Sequence, residues 1–118
     1  MIVVRDVFRL KFGKAREAVA LWQEGQQFVR QSSAVRGARV LTDLVGEYYT
    51  LVLETSFDGL ADFDRSLREE TGNAEWRAWY QRFVPLAESG YREILTVVGS
   101  DVTPLGGDEA GAETRNRR

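Results

Sequence analysis

The chain has 118 residues, of which 43% are hydrophobic and 29% charged, and this composition indicates one globular domain that is neither disordered nor fibrous. Sixteen basic and eighteen acidic residues give a formal net charge of −2, so no overall field attracts nucleic acid, and the basic residues are scattered. No Cys and no His occur, which excludes disulfides, a Ser-His-Asp triad and most zinc, copper and haem sites, and leaves carboxylates as the remaining metal ligands.

The first half of the chain predicts a strand, a helix and a hairpin. Residues 2–11 alternate partly, with one cleaner apolar side formed by Ile2, Val4, Phe8 and Leu10. From Lys14 to about Gln31, apolar residues recur at the spacing of an amphipathic helix. Residues 38–45 and 47–56 are rich in β-branched and aromatic side chains, and Gly46 between them predicts a hairpin with a short turn.

A second helix is predicted over residues 59–70. Ser56 or Asp58 is placed to cap its first turn, and Arg65 and Glu69 have the spacing of a supportive ion pair. Residues 71–73 then interrupt the pattern. The apolar stripe of this helix consists of Leu60, Phe63 and Leu67.

A further helix is predicted in the aromatic stretch NAEWRAWYQRF, residues 73–83. Asn73 can cap it by accepting a hydrogen bond from an amide near Glu75 or Trp76, and Pro85 should bend or end it. A last strand follows over residues 91–98. The packing face of the helix is expected to carry Trp76, Tyr80, Phe83 and Ala87, with Trp79 standing partly apart.

The order of these elements predicts the fold. Strand, helix, strand, strand, helix, strand is the order of a ferredoxin-like α+β sandwich, with a four-stranded antiparallel sheet covered by helices on one face. We expect this domain to span residues 1–99. Residues 100–118 are rich in glycine and charge and contain no aromatic residue, so a flexible tail is expected there.

The second face of such a sheet must either meet water or be buried against a partner. It is expected to be mixed, with Val3, Val7 and the arginines of the first strand. An apolar patch of that size predicts a homodimer whose sheets meet face to face, and the alternative is a monomer with an open sheet. Further candidates for this patch are Leu41, Val45, Val52, Ile94 and Val98.

Three stretches carry a resemblance to a known family: LKFGKAREAVALW, VGEYYTLVLETSFDGLADFDRSL and AEWRAWYQRFVPLAESGYREIL. Together they resemble the NIPSNAP-like branch of the dimeric α+β barrel superfamily over about residues 2–98. The family pattern usually has proline in place of Phe12 and often arginine in place of Asp6. The most specific matching positions are Leu10, Lys11, Gly13, Lys14, Trp22, Glu75, Trp76, Pro85 and Leu86.

The resemblance implies a homodimer in which two sheets form a barrel with the helices outside. It supplies no reaction, because most members of the family have none assigned. Relatives elsewhere in the superfamily include cofactor-independent monooxygenases, muconolactone-type isomerases and haem peroxidases. The haem branch binds iron through a histidine, which this chain lacks, so no cofactor and no metal are expected.

The aromatic stretch has two interpretations. In the functional one, Trp76, Trp79 and Tyr80 line a pocket between the helices and the sheet and stack on a planar ligand, while Asn73 or Arg77 contacts a carbonyl or enolate. In the structural one, the aromatic side chains at helical spacing only fill the core.

Asp6 is another candidate catalytic residue. It is expected on the same side of the first strand as Val4 and Phe8, where an unpaired carboxylate is costly. Asp6 is therefore either a buried base with a raised pKa or a member of a structural ion pair. Arg5, Arg9 and Glu54 are expected on the second face of the sheet, as a salt bridge.

Two functions remain open on this basis. The first is a homodimer that binds a small apolar or aromatic molecule, as a cofactor-independent monooxygenase or isomerase in its catalytic form. The second is a non-catalytic structural or stress-associated homodimer. No apolar run is long enough to span a bilayer, and Arg5 falls where a signal peptide needs apolar residues, so a cytoplasmic protein is expected, with neither membrane nor nucleic acid as partner.

Overall fold

The computed structural model describes residues 1–100. The strands are β1 (Ile2–Leu10), β2 (Gly37–Thr42), β3 (Thr50–Phe57) and β4 (Ala87–Thr96). The helices are α1 (Ala15–Gln31), α2 (Leu60–Thr71) and α3 (Ala74–Phe83), and a 3-10 turn (Val84–Leu86) joins α3 to β4. The expected domain, residues 1–99, falls within this part. The expected tail, residues 100–118, lies outside the described residues apart from Ser100.

The four strands form one antiparallel sheet in the order β2-β3-β1-β4. This is the ferredoxin-like α+β arrangement predicted from the element order, and the helices cover one face of the sheet. Val4 and Leu10 are buried under that helical layer, which confirms the predicted apolar side of β1. α3 ends at Phe83, two residues before Pro85, so the predicted end of this helix is also confirmed.

The core lies between the sheet and the helices in two clusters. The larger cluster is centred on Trp22, whose ring meets those of Trp79 and Phe83 edge to face at centroid separations of 4.6 and 5.3 Å. The smaller cluster contains Val4 and Phe57 and lies towards α2. The aromatic residues of α3 are therefore joined to α1 at the centre of the helical layer.

The prediction of a short turn at Gly46 is wrong. β2 ends at Thr42 and β3 starts at Thr50, so a longer loop connects them. Asp43 closes this loop: its backbone amide donates to the Thr50 carbonyl at 3.3 Å, and its side chain accepts from the Thr50 amide at 3.0 Å. Tyr49 has a φ of 62°, a conformation outside any strand. A loop that the Asp43 side chain closes thus takes the place of the strand pairing that the β-branched residues predicted.

The start of α2 also differs from the prediction. Gly59 is the N-cap, and no side chain caps the helix. Asp58 instead accepts from Arg36 at 2.8 Å, because the segment before β2 passes beside it. The predicted ion pair of Arg65 and Glu69 is absent from residues 1–100, because Arg65 forms an ion pair with Asp62. Leu60 is exposed, so it does not belong to the packed stripe.

β4 starts at Ala87, four residues before the predicted start at Tyr91, and ends at Thr96, before the predicted end at Val98. The register places Ile94 opposite Val4, and therefore on the helical side of the sheet. Val45 lies in the loop after β2, and Val98 follows the end of β4. These three residues are thus not part of the uncovered sheet face.

That uncovered face, called the open face from here on, is organised in rows across the strands. One row is charged: Arg5 contacts Glu93 at 2.6 Å and Glu54 at 3.7 Å, and Glu54 also accepts from Arg39 at 2.6 Å. The expected salt bridge of Arg5 and Glu54 is thereby confirmed, while Arg9 pairs with Glu47. The next row is apolar and consists of Leu41, Val52, Val7 and Tyr91.

Candidate functional site

A cavity of about 380 Å³ lies between the helical layer and the sheet. The side chains around it come from all three helices and from β1, β3 and β4. All three tryptophans of the chain, Trp22, Trp76 and Trp79, are among them. The volume falls in the range of small-molecule pockets, which is roughly 300 to 1,000 Å³.

Trp76 and Tyr80 form an aromatic wall of this cavity. They are one helical turn apart on α3, and their rings are stacked with centroids 4.9 Å apart and planes at 11°. Both are half-buried, and both pack against the larger core cluster. They can therefore support a planar ligand while remaining fixed by their packing.

Trp79 is a core residue, which corrects the prediction that it stands apart from the packing face. Its side chain is only 4% exposed, and its Nε1 donates a 2.8 Å hydrogen bond to the Leu21 carbonyl on α1. Gly25 makes this possible, because any Cβ at that position would overlap the indole ring. The close approach of α1 and α3 thus places Trp79 deeper than its helical position suggests.

Trp22 carries a buried polar group beside the site. Its side chain is 7% exposed and lines the cavity. Across residues 1–100, Trp22 Nε1 is the one buried side-chain nitrogen or oxygen that lacks a hydrogen-bond partner. A buried indole N–H without an acceptor is costly in a folded protein, so a ligand acceptor would relieve that cost.

Asp6 and Arg92 form the ion pair of the cavity. They are cross-strand neighbours on β1 and β4, and Arg92 Nε donates to Asp6 Oδ1 at 2.5 Å. The Asp6 side chain is only 15% exposed. The guanidinium of Arg92 also lies 5.2 Å from the centre of the Phe63 ring. Of the two alternatives for Asp6, the structure has the ion pair.

Glu70 is a candidate that the sequence interpretation missed. It lies on the last turn of α2 and lines the same cavity as Asp6 and Arg92. Burial raises the pKa of Glu70 to about 7; Arg92 opposes this shift, and Asp6 and Glu69 add to it. Helical spacing from Phe63 would have revealed it, because positions 63, 66, 67 and 70 share one face of α2.

The two remaining catalytic candidates have different positions. Asn73 lines the cavity, and its Oδ1 caps α3 by accepting from the amides of Glu75 at 2.9 Å and Trp76 at 3.2 Å, as predicted. Arg77 is exposed and is not among the residues around the cavity. Its Nη1 donates to the Thr71 carbonyl at 2.6 Å, so it braces the junction between α2 and α3.

The described residues contain neither a cluster of metal ligands nor a membrane-spanning helix. No three acidic side chains in residues 1–100 come together in an arrangement that could hold a metal ion. None of the helices described above has the length and apolarity needed to cross a membrane.

No protein-family model matches the chain, and no curated protein matches it by sequence. Solved structures do match it. An uncharacterised NIPSNAP domain protein from Burkholderia xenovorans is 22% identical, with a TM-score of 0.72 over 88% of this chain and 99% of that one. A NIPSNAP family protein from Agrobacterium tumefaciens is also 22% identical, with a TM-score of 0.73 over 88% and 97% of the two chains.

A third solved structure is that of an enzyme. SnoaB, a cofactor-independent oxygenase from Streptomyces nogalater, is 11% identical, with a TM-score of 0.69 over 86% of this chain and 97% of that one. At these identities the similarity establishes the fold and assigns no reaction. The resemblance seen in the sequence is thus confirmed in structure: the chain has the α+β fold shared by NIPSNAP family proteins and cofactor-independent oxygenases.

Proposed function

We propose that the chain binds a small aromatic molecule, with one polar end, in the cavity between the helices and the sheet. The observation that carries this proposal is the cavity itself, which combines a stacked aromatic wall with a charged end. A mainly apolar pocket of this size with a few polar groups at one end is typical of a small-molecule site.

The lining indicates the chemistry of the ligand. Trp76 and Tyr80 provide flat faces for a ring system of two or three fused rings. The indole N–H of Trp22 is a donor without an acceptor, which suits a carbonyl or hydroxyl oxygen on the ligand. The ligand is therefore a mainly apolar, planar molecule with an oxygen at its edge.

Calorimetric titration with 2-tetralone, a bicyclic aromatic ketone, tests this proposal. Ser66 is 5% exposed and lines the cavity, so Ser66→Leu should fill part of the space and weaken binding at least tenfold. Ala78→Leu adds similar bulk on the exposed side of α3 and should leave the affinity unchanged. Absence of saturable binding to the unmodified protein, or equal affinity for the Ser66 variant, contradicts the proposal.

We also propose that the protein is a homodimer formed through the open face. The apolar row of Leu41, Val52, Val7 and Tyr91 crosses all four strands, and its two end residues, Leu41 and Tyr91, are exposed. Exposed apolar residues grouped on an uncovered sheet face mark an interaction surface. The adjacent charged row contains two arginines and two glutamates and has no net charge. A second copy can therefore cover this face without burying an excess of one sign.

A further inference from the structure

We propose that Glu70 is the proton-transferring residue of the cavity and that the ligand is an enolisable aromatic ketone. In this proposal Glu70 removes a proton from the carbon next to the ketone carbonyl and later returns one. The inference rests on the proposed binding function and adds to it a reaction and a residue that performs it.

The position of Glu70 suits this role. It is half-buried, lines the cavity and lies near the Asp6–Arg92 pair. In the part of the chain that the structure describes, Glu70 forms no salt bridge, whereas Asp6 is held by Arg92 at 2.5 Å. Within residues 1–100, Glu69 also lines the cavity without a salt bridge, but it is exposed, so Glu70 is the more buried of the two carboxyl groups that are not committed to a cation. The Glu70 oxygens are therefore available to a ligand.

The surroundings of Glu70 keep both of its protonation states within reach near neutral pH. Burial raises the pKa of Glu70 to about 7, and the charged groups that act on it are Arg92 on β4, Asp6 on β1 and Glu69 on α2. Among the described residues that line the cavity, those from α1 and α3 carry no charge, and Tyr80 is the titratable side chain that they include. A base with a pKa close to the working pH transfers protons in both directions most effectively.

The proposed step is balanced without any further reactant. The Glu70 carboxylate takes the α-proton, the C–H bond electrons form a carbon–carbon double bond, and the carbonyl π electrons move to oxygen, giving an enolate. Trp22 Nε1 is the proposed hydrogen-bond donor to that oxygen, because its N–H is buried without an acceptor. Glu70 then returns a proton to the same carbon or to a conjugated one, so no electrons leave the ligand.

Deuterium exchange at the α-carbon of 2-tetralone, followed by proton NMR in D₂O against a protein-free sample, tests the proposal. The unmodified protein should accelerate exchange, with a rate that rises with pH and levels off above about 7 as Glu70 ionises. Glu70→Gln should reduce the acceleration by roughly 100-fold or more, the usual contribution of a general base, and Glu70→Asp should retain part of it. Glu88→Gln changes an exposed carboxylate on β4 away from the cavity and should have no effect.

Separate calorimetry distinguishes the two levels of the proposal. If 2-tetralone binds the unmodified protein and Glu70→Gln alike but exchange is never accelerated, Glu70 is not a proton-transferring residue, and the binding function stands. If 2-tetralone does not bind at all, both proposals fail. Should Glu70→Gln not fold, Glu70→Asp and the pH profile of the unmodified protein decide: a pH-independent acceleration, or full activity of the Asp variant with an unshifted profile, overturns the role of Glu70.

Discussion

Glu70 is a carboxyl group whose burial lowers the stability of the fold. Among residues 1–100, Arg92 is the cation that acts on Glu70, and it is already paired with Asp6. A buried carboxylate without a partner of its own loses the hydration that stabilises it in the unfolded chain. A residue that lowers stability in a cavity is typical of a functional position, where the local environment serves a purpose other than folding.

The effect of Glu70 on stability depends on pH. Its pKa is raised from the ordinary value of 4.5 to about 7, so the folded protein holds the proton more tightly than the unfolded chain. The free energy of unfolding is therefore highest, as far as Glu70 determines it, below pH 4.5, where this side chain is neutral in both states. It falls as the pH rises through 7 and the folded protein must bury the carboxylate. We predict that Glu70→Gln stabilises the protein at pH 8 by about 1–3 kcal/mol and has a smaller effect at pH 5.

Urea denaturation of both proteins at pH 5 and pH 8 measures this difference. Glu88→Gln, at an exposed position, should show no such pH-dependent gain. A stability difference between the unmodified protein and Glu70→Gln that is the same at both pH values would mean that Glu70 ionises as it does in water.

Gly25 sets the distance between α1 and α3. A Cβ at this position would overlap the Trp79 indole, so we predict that Gly25→Ala destabilises the fold by about 1–2 kcal/mol, the cost of overpacking less the gain in helix propensity. Gly99→Ala is the control, since a Cβ there meets nothing within 4 Å. Denaturation followed by tryptophan fluorescence checks the prediction; equal stabilities would mean that the helices separate freely.

The depth of the aromatic side chains shows where sequence interpretation fails. Helical spacing correctly placed Asn73 as the cap and Phe83 in the core. It did not reveal that Trp79 is more buried than Trp76, because that difference depends on Gly25 in another helix. The spacing of residues within one helix predicts which side of the helix a side chain is on. How deeply that side chain is buried depends on the residues of other elements that pack against it.

α3 begins at a side-chain cap that serves both the fold and the cavity. Asn73 Oδ1 satisfies two amides that would otherwise lack partners, those of Glu75 and Trp76. Because the cap fixes where the helix starts, it also fixes which residues of α3 face the cavity. We predict that Asn73→Ala costs about 1 kcal/mol and that Asn73→Ser recovers most of the loss.

Chemical denaturation and amide hydrogen exchange at Glu75 and Trp76 measure this effect. Both amides should exchange faster in the alanine variant than in the serine variant. Unchanged exchange in Asn73→Ala would show that water or another group replaces the cap.

The helices and strands themselves were predictable, whereas their connections were less so. Alternation along β1 and the apolar periodicity of α1 are strong signals, since each depends on a single element. The loop after β2 was misjudged, because it is closed by Asp43 contacting Thr50, and such contacts compete with strand pairing. The start of α2 was misjudged for a related reason: Asp58 binds Arg36, which is distant in sequence.

The open face is the surface through which we propose that the protein dimerises. Its apolar row runs through the centre of the sheet, and Val7 on β1 lies in the middle of it. We predict that the unmodified protein is a dimer and that Val7→Asp is a monomer, because an unpaired charge would be buried in the interface. Leu60→Asp, at an exposed position on the helical side, should remain dimeric.

Size-exclusion chromatography with light scattering gives the masses of all three proteins. A monomer mass for the unmodified protein at micromolar concentration would remove the homodimer proposal. A dimer mass for Val7→Asp would indicate that the interface lies elsewhere on the surface.

The cavity gives the chain its proposed function, and a crystal structure of the protein with 2-tetralone tests that function most directly. We predict density for the ketone against the rings of Trp76 and Tyr80, with its oxygen within hydrogen-bond distance of Trp22 Nε1. Its α-carbon should lie beside the carboxyl group of Glu70. A cavity that remains free of the ketone, or a ketone bound only on the open face, would contradict the proposal.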